Sequence, residues 1–369
     1  MKLKVPEYIL DIAPYVPGKP IEELEREYGI KGSIKLASNE NPLGPSPKAV
    51  EAIGRQIANL HRYPDGAGHV LLNKLAEELS VRTDQIVMGN GSDDILGLLS
   101  RALLQPGDEV IIPMPSFLMY VIVTQSAGAV PREVPLKDMH IDLAGILRRL
   151  TPRTRMVFIC NPNNPTGTML TREALGAFLE ALPPEVVVVL DEAYIEFARD
   201  TRCARGLSFL NGQRTVVTLR TFSKVYGLAG LRVGYGVMPS ELAQLLNRVR
   251  MPFNVNSLAQ AAAVAALDDT EFFDKTKALI HDGLDFLYGE LAKRGLRYFP
   301  TQTNFFLIDV QRDAKAVFEQ FLRLGVIVRA MSAYGFPNFI RINVGLPEEN
   351  RRFLEALDRI IDSNGENRS

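Results

Sequence analysis

The residues most able to do chemistry lie between Thr215 and Gly236, in the stretch TVVTLRTFSKVYGLAGLRVGYG. Thr215 to Arg220 is β-branched and aliphatic, which is a strand pattern. It delivers Lys224 just past the strand's end, and open α/β sheets bind ligands outside the carboxyl ends of their strands. Burial disfavours a charged amine, so a lysine placed there can lose its proton and act as a nucleophile. An arbitrary loop lysine is simply solvated. Here Thr221 and Ser223 add hydroxyls and Arg232 adds a guanidinium, an anion site beside the amine. That combination suits a phosphorylated aldehyde.

Other strand ends carry further candidates. Val186 to Leu190 holds four valines and delivers Asp191, Glu192, Ala193 and Tyr194. So continuous an apolar run implies burial on both faces, as in a parallel sheet, and the acid at its end is either a helix N-cap or functional. Met156 to Cys160 is an apolar strand running into Asn161-Pro162-Asn163-Asn164-Pro165-Thr166-Gly167, a polar and rigid turn. Glu109 to Ile112 is a strand followed by Pro113-Met114-Pro115-Ser116-Phe117, an aromatic that serves either the core or a stacked ligand. Ile86 to Asp94, IVMGNGSDD, opens an apolar helix reaching about Leu104. Its glycines allow close backbone approach, Ser92 or Asp93 can cap the helix, and the free N–H groups can take a phosphate. A dinucleotide-binding turn would need a third glycine where Ile95 and Leu96 stand. Arg341 interrupts the apolar strand Phe339 to Val344 and therefore wants an anionic partner; Arg329, in Val328-Arg329-Ala330-Met331, is a second such arginine.

Ser223-Lys224 with its glycine-rich sequel, Asn161 to Gly167 and Asp191-Glu192-Ala193-Tyr194 together resemble the fold-type I pyridoxal-phosphate aminotransferases. Leu36-Ala37-Ser38-Asn39-Glu40-Asn41-Pro42 and Gly89-Asn90-Gly91-Ser92-Asp93 narrow the likeness to the histidinol-phosphate aminotransferases, over essentially the whole chain. The resemblance implies pyridoxal 5′-phosphate as cofactor, with Lys224 as the lysine that bonds its aldehyde carbon. Asp191 would hold the proton on the ring nitrogen, and Asn164 and Tyr194 would meet the phenolic oxygen. Phe117, where tyrosine is commoner, would stack on the ring. Gly91, Ser92, Asp93, Thr221, Ser223 and Arg232 would surround the phosphate. Tyr63, in Arg62-Tyr63-Pro64-Asp65, would reach the phosphate of the other subunit in a homodimer. On the substrate side the resemblance implies Arg341 and Arg329, with Asn39 at the mouth of the site and Tyr15 in an N-terminal arm. The implied reaction moves an amino group between L-histidinol phosphate and 2-oxoglutarate in histidine biosynthesis.

These residues need an α/β fold to position them. Strand ends alternate with helical patterns, giving βαβ units and a large domain built on a mainly parallel sheet flanked by helices. A smaller α/β C-terminal domain is expected from strands near 304–310, 326–329 and 339–344 with helices near 314–324 and after Pro347. The expected division is an arm and active-site loop over 1–45, a large cofactor-binding domain over 46–275 and a small domain over 276–369. The polar tail Ser363 to Ser369 is expected to be disordered.

Composition narrows the function classes. The chain has 369 residues, 46% hydrophobic and 23% charged, with a net charge of −1; nothing there calls for nucleic acid or an anionic membrane. Cys160 and Cys203 make no disulfide framework, and four scattered histidines have no metal-ligand spacing, so no metal is expected. Acid and proline interrupt the N-terminal MKLKVPEYILDIAP where a signal peptide is apolar, and the expected location is the cytoplasm. Threonine-phosphate decarboxylase and aromatic amino-acid aminotransferase are the enzymatic alternatives, the first disfavoured by Ser92-Asp93 where alanines are usual. A ligand-sensing regulator on the same fold would carry a DNA-binding domain, for which this chain has no room.

Overall fold

The computed structural model describes residues 3–15 and 17–362; the tail 363–369 lies outside them. A short strand, β1 (Ile34–Lys35), precedes the main sheet. Seven strands form that sheet: β2 (Ile86–Gly89), β3 (Glu109–Met114), β4 (Val130–Pro135), β5 (Thr154–Cys160), β6 (Val187–Asp191), β7 (Val216–Thr221) and β8 (Gly234–Val237). Their spatial order is β2-β8-β7-β6-β5-β3-β4, and β8 alone runs antiparallel to its neighbours.

The central strands alternate between two apolar faces. Val110, Ile112, Met156, Phe158, Val189, Val217 and Leu219 point to one side, against Leu96 and Leu99 of the helix Ser92–Leu103 and Leu246 of the helix Ser240–Val249. Ile111, Val157, Ile159, Val188, Leu190 and Val216 point to the other, against Leu175, Phe178 and Leu179 of the helix Arg172–Ala181. Burial on both faces is what the near-continuous Val/Ile/Leu runs require. At the β2 end, Ala259, Ala262, Ala263 and Ala266 of the helix Ser257–Leu267 pack with Ala49 of the helix Pro47–Gln56, small side chains that let two helices approach closely.

A second, antiparallel sheet has the order β12-β13-β10-β9, built from β9 (Arg297–Phe299), β10 (Phe305–Asp309), β12 (Arg329–Ala330) and β13 (Phe339–Asn343). Its helices are Ala314–Arg323 and Pro347–Asp362, joined to the main sheet's layers by the 24-residue helix Thr270–Lys293, which runs unbroken through residue 275. The stretch expected as one strand over 326–329 is two: β11 (Val326–Ile327) pairs in parallel with β1, while β12 pairs with β13. The chain steps sideways at Val328, so that Val326 and Ile327 pair outside the second sheet while Arg329 and Ala330 pair within it. The α/β architecture with a mainly parallel sheet and a smaller second sheet is the expected one. No helix among the described residues is long and apolar enough to cross a membrane.

Candidate active site

One cleft gathers residues from the carboxyl ends of β5, β6 and β7, the start of the helix Ser92–Leu103, and the loop after β1. Ser38, Ser92, Asp93, Phe117, Asn164, Asp191, Tyr194, Thr221, Ser223, Lys224 and Arg232 all line it. Ten of these were singled out in the sequence, and Ser38 was not. A larger surface hollow near Arg55, Gln260 and Asp268 contains none of the chemical candidates.

Lys224 is part-buried behind the end of β7, its Nζ donating to Ser38 O at 3.3 Å and lying 5.7 Å from the centre of the Tyr194 ring. Burial lowers its pKa to about 8, the Arg341 guanidinium adds to the effect, and Glu40 partly offsets it. Asp191 ends β6 with 4% of its surface exposed. Its Oδ1 accepts the Ala193 N–H at 3.1 Å, and its Oδ2 accepts the Tyr120 hydroxyl at 2.8 Å. Burial raises its pKa to about 6, with the Tyr120 hydrogen bond acting against the rise. No α-helix follows directly, so the acid is not a helix N-cap.

The Asn161 to Gly167 turn is fixed by its own amides: Asn161 Nδ2 donates to Ala204 O at 2.9 Å and Asn163 Nδ2 to Thr166 Oγ1 at 3.0 Å. Asn164 Oδ1 accepts from Arg341 Nη1 at 2.5 Å, which leaves the Nδ2 protons of Asn164 for the cleft. Arg341 has only 7% of its surface exposed. Its Nη2 donates to Ala37 O at 2.8 Å, its guanidinium carbon lies 5.0 Å from the centre of the Phe305 ring, and its Nε is buried without a partner. Arg329 faces Arg341 across the β12–β13 register, so both side chains leave the same face.

The anion site is assembled around Arg232, in the left-handed region at φ 56. Its Nη1 donates to Ser223 Oγ at 3.4 Å, and its Nη2 lies 3.5 Å from Asp93 Oδ2. Thr221 Oγ1 donates to Ser223 Oγ at 2.9 Å. The helix cap differs from the sequence expectation: it is Gly91, at φ 86, rather than Ser92 or Asp93, and no side chain caps the helix. A Cβ at Gly91 would meet Arg232 Nη2 at 2.5 Å, so only glycine lets the guanidinium lie against the turn. Helix N–H groups left without side-chain partners beside an arginine form a ready phosphate seat.

Six candidates are absent from the lining: Gly91, Arg341 and Arg329, placed above, and Tyr63, Tyr15 and Asn39. Tyr63 is 83% exposed and stacks on Phe253 with ring centroids 4.7 Å apart. Tyr15 is 43% exposed, yet near enough for its phenol to act on the Arg341 guanidinium. Asn39 turns its amide to the Tyr194 hydroxyl, 3.0 Å away, rather than into the open cleft. Besides Ser38, two residues were missed. Tyr120, three positions after Phe117 and edge-on to it near the start of the helix Met119–Ser126, is signalled in the sequence only as a second aromatic beside Phe117. Arg220 interrupts an apolar strand just as Arg341 does, and it is buried against Glu192 and Glu196.

A flat, phosphorylated pyridine aldehyde fits this donor set. A buried carboxyl with a raised pKa seeks a cation, a buried amine with a lowered pKa is a nucleophile, and the arginine-lined helix start takes a dianion. Among the described residues no cluster of His, Cys, Asp or Glu could hold a metal ion.

The profile of the family described as aminotransferase class I and II matches residues 31–357. The chain is 50% identical to a histidinol-phosphate aminotransferase of Desulfotalea psychrophila over 97% of this chain and 95% of that one. It is 48% identical to a histidinol-phosphate aminotransferase of Moorella thermoacetica, over 97% and 93%. Among solved structures it is similar to histidinol-phosphate aminotransferase from Sinorhizobium meliloti in complex with pyridoxal-5′-phosphate, with a TM-score of 0.91, 29% identity, and coverage of 98% of this chain and 99% of that one.

Proposed function

The chain belongs to the class I and II aminotransferase family, and from that premise we propose that it moves an amino group between L-histidinol phosphate and 2-oxoglutarate, giving imidazole-acetol phosphate and L-glutamate, in histidine biosynthesis. Pyridoxal 5′-phosphate is the cofactor. The observation that carries the reaction type is the single cleft in which the buried amine of Lys224 and the buried carboxyl of Asp191 meet an arginine-lined helix start. The choice of histidinol phosphate rests on relatives about half identical over nearly all of this chain.

When bound, the cofactor supplies a conjugated ring that takes up the electrons freed at the substrate's amine-bearing carbon. Asp191 holds the proton on the ring nitrogen, and its burial makes that ion pair strong. Asn164 Nδ2 and the Tyr194 hydroxyl donate to the phenolic oxygen, and Phe117 covers the ring. Thr221, Ser223, Arg232 and the helix start at Gly91, Ser92 and Asp93 take the phosphate. Lys224 Nζ, neutral over much of its time near pH 8, lifts the proton from the substrate carbon. Arg341, with Arg329 beside it, binds the substrate's anionic group.

Tyr63 and Phe253, stacked and both exposed, would be covered by a second copy, placing Tyr63 at that copy's cofactor phosphate in a homodimer. The same proposal divides the chain into an arm (1–45), a large lobe (46–275) and a small lobe (276–369), with the last boundary inside the helix Thr270–Lys293. The two free, buried cysteines suit a cytoplasmic enzyme. Side-by-side steady-state assays on histidinol phosphate, threonine phosphate and phenylalanine test the reading. The highest kcat/KM is expected for histidinol phosphate with 2-oxoglutarate consumed, and release of carbon dioxide from threonine phosphate would overturn it.

A further inference from the structure

The side-chain amide of Asn39 is committed at its nitrogen, while its Oδ1 is buried with no partner among the described residues. Its Nδ2 donates to the Tyr194 hydroxyl oxygen at 3.0 Å, in surroundings that leave Asn39 only 2% exposed. The peptide groups of Asn39 are clamped as well. Its N–H donates to Asn343 Oδ1 at 3.0 Å, and its carbonyl accepts from Asn304 Nδ2 at 3.1 Å. Both of those asparagines are buried. Asn343 also donates its N–H to Leu36 O at 3.0 Å, and Arg341, two residues earlier on β13, holds Ala37 O. Asn39 sits at φ 55, a left-handed conformation that asparagine adopts more readily than most residues. Three contacts from β13 and one from Asn304, just ahead of β10, thus hold residues 36 to 39 in one arrangement, and that arrangement aims one amide at one hydroxyl.

A tyrosine hydroxyl can accept as well as donate, but it has a single proton. While it accepts from an amide N–H, its own proton is free for a different acceptor. Tyr194 lines the cleft together with Asn164 and Lys224, so the cleft is where that proton can go. We infer that Asn39 is a positioning residue which fixes the Tyr194 hydroxyl as a donor into the cleft, toward the cofactor's phenolic oxygen, rather than a residue that touches substrate. The destination of the proton rests on the cofactor reading above; the Asn39–Tyr194 contact does not. Because Arg341 and Asn343 share β13, the substrate's anion site and the orientation of this hydroxyl are carried by one strand.

Asn39→Gly keeps the left-handed backbone, which glycine adopts freely, and deletes the donor. Asn39→Asp keeps the shape but presents an acceptor that takes the hydroxyl's proton. The first readout is the pH midpoint of the visible band of the protein with cofactor and without substrate. A hydroxyl donating to the phenolic oxygen withdraws negative charge that would otherwise stabilise a proton on the Lys224 nitrogen, so its loss moves the midpoint to higher pH. Tyr194→Phe is expected to move it by about one pH unit, the size of one hydrogen bond to a charged group. Asn39→Asp should move it nearly as far and Asn39→Gly part of the way, with neither adding to Tyr194→Phe. The second readout is NMR of cofactor-free protein with labelled tyrosine rings, Tyr194 being assigned from Tyr194→Phe; its resonance should shift in both Asn39 variants. Asn343→Ala releases the Asn39 N–H and should shift the midpoint in the same direction, which keeps the test open if the Asn39 variants fold poorly. A midpoint and a Tyr194 resonance indifferent to residue 39, with only substrate KM rising, would overturn the inference. Absence of any visible band in the unmodified protein would overturn the cofactor reading instead, and the Tyr194 resonance would still decide the role of Asn39.

Discussion

Tyr120 donates its hydroxyl proton to Asp191 Oδ2 at 2.8 Å, joining the helix Met119–Ser126 to the last residue of β6. Tyr120 is fully buried, sandwiched against Phe158 and edge-on to Phe117. The contact therefore ties the aromatic wall of the cleft to the acid that would serve the ring nitrogen, and it holds down a pKa that burial drives up.

Tyr120→Phe should raise the Asp191 pKa above about 6 and weaken cofactor binding by roughly tenfold, the loss of one hydrogen bond to a charged group. Phenylalanine keeps the packing, so thermal stability should change little. Equilibrium titration of cofactor-free protein with pyridoxal phosphate measures it. Unchanged affinity would reduce Tyr120 to a core residue.

Asp191→Asn should stabilise the cofactor-free protein while impairing the loaded one. The folded pKa, about 6, lies above the ordinary 3.8, so ionising this carboxyl is harder in the native state than in the unfolded chain. The sign follows: below pH 3.8 the group is neutral in both states and the substitution changes nothing. As pH rises from 3.8 through about 6 the unmodified protein loses stability that the asparagine variant keeps. The difference approaches about 3 kcal/mol above pH 7, because the carboxyl titrates near 6 in the fold and near 3.8 outside it. Denaturant unfolding at about pH 3 and about pH 8, either side of that window, compares them, and equal gains at both would refute the account.

Arg220 makes the complementary case. Its Nε donates to Glu192 Oε2 at 2.6 Å, and Glu192, wholly buried, also accepts the Gly206 N–H at 2.5 Å. Arg220→Met strands that carboxylate and should cost about 3–5 kcal/mol. The variant that adds both Glu192→Gln and Glu196→Gln should recover most of the loss, because it removes the two stranded charges along with their partner. Urea unfolding of the two variants decides it; no recovery would mean that Arg220 matters through packing alone.

Tyr63 is tested by mixing a Tyr63→Phe chain with a Lys224→Ala chain. If Tyr63 serves the other subunit, each hybrid dimer holds one site with both native residues, and activity should reappear that neither parent shows. Hybrids as inactive as their parents would confine Tyr63 to its own chain.

Much of this was legible because strand-end chemistry is local. Asn164 and Asp191 each follow an unbroken apolar run, and Lys224 follows a β-branched strand broken by Arg220, so their place at the sheet's carboxyl edge could be read from the run itself. Tyr120 and Arg220 were not, since their partners lie 71 and 28 residues away and only tertiary packing brings them together. Asn39 was legible as belonging to the site, but its direction was not. A loop's composition says that it turns, whereas the aim of its amide depends on Asn304 and Asn343, which lie 265 and 304 residues later. Gly91 shows the same limit on a smaller scale. Its neighbours Ser92 and Asp93 have better capping side chains, yet the turn needs φ 86 and room for Arg232.

Arg341 carries the last prediction, about how one site serves two unlike substrates. Histidinol phosphate has a phosphate and no carboxylate, whereas glutamate has two carboxylates and no phosphate. A ping-pong cycle must accept each in turn, and one planar guanidinium suits either anion. Two of its three nitrogens are anchored, on Asn164 and on Ala37, while Nε is buried with no partner. Leaving such a donor unsatisfied is costly, so the fork is held in place with one edge in want of an acceptor. Arg341→Ala should therefore weaken both half-reactions, by about 2–5 kcal/mol each, which is at least a roughly thirtyfold loss in specificity constant. Arg341→Lys should recover only part, because a point charge cannot hold Asn164, Ala37 and the anion at once. Stopped-flow measurement of each half-reaction separately decides it. Loss confined to glutamate would mean that the phosphate has its own seat, and Arg329, opposite Arg341 in the β12–β13 register, would then be the residue to replace.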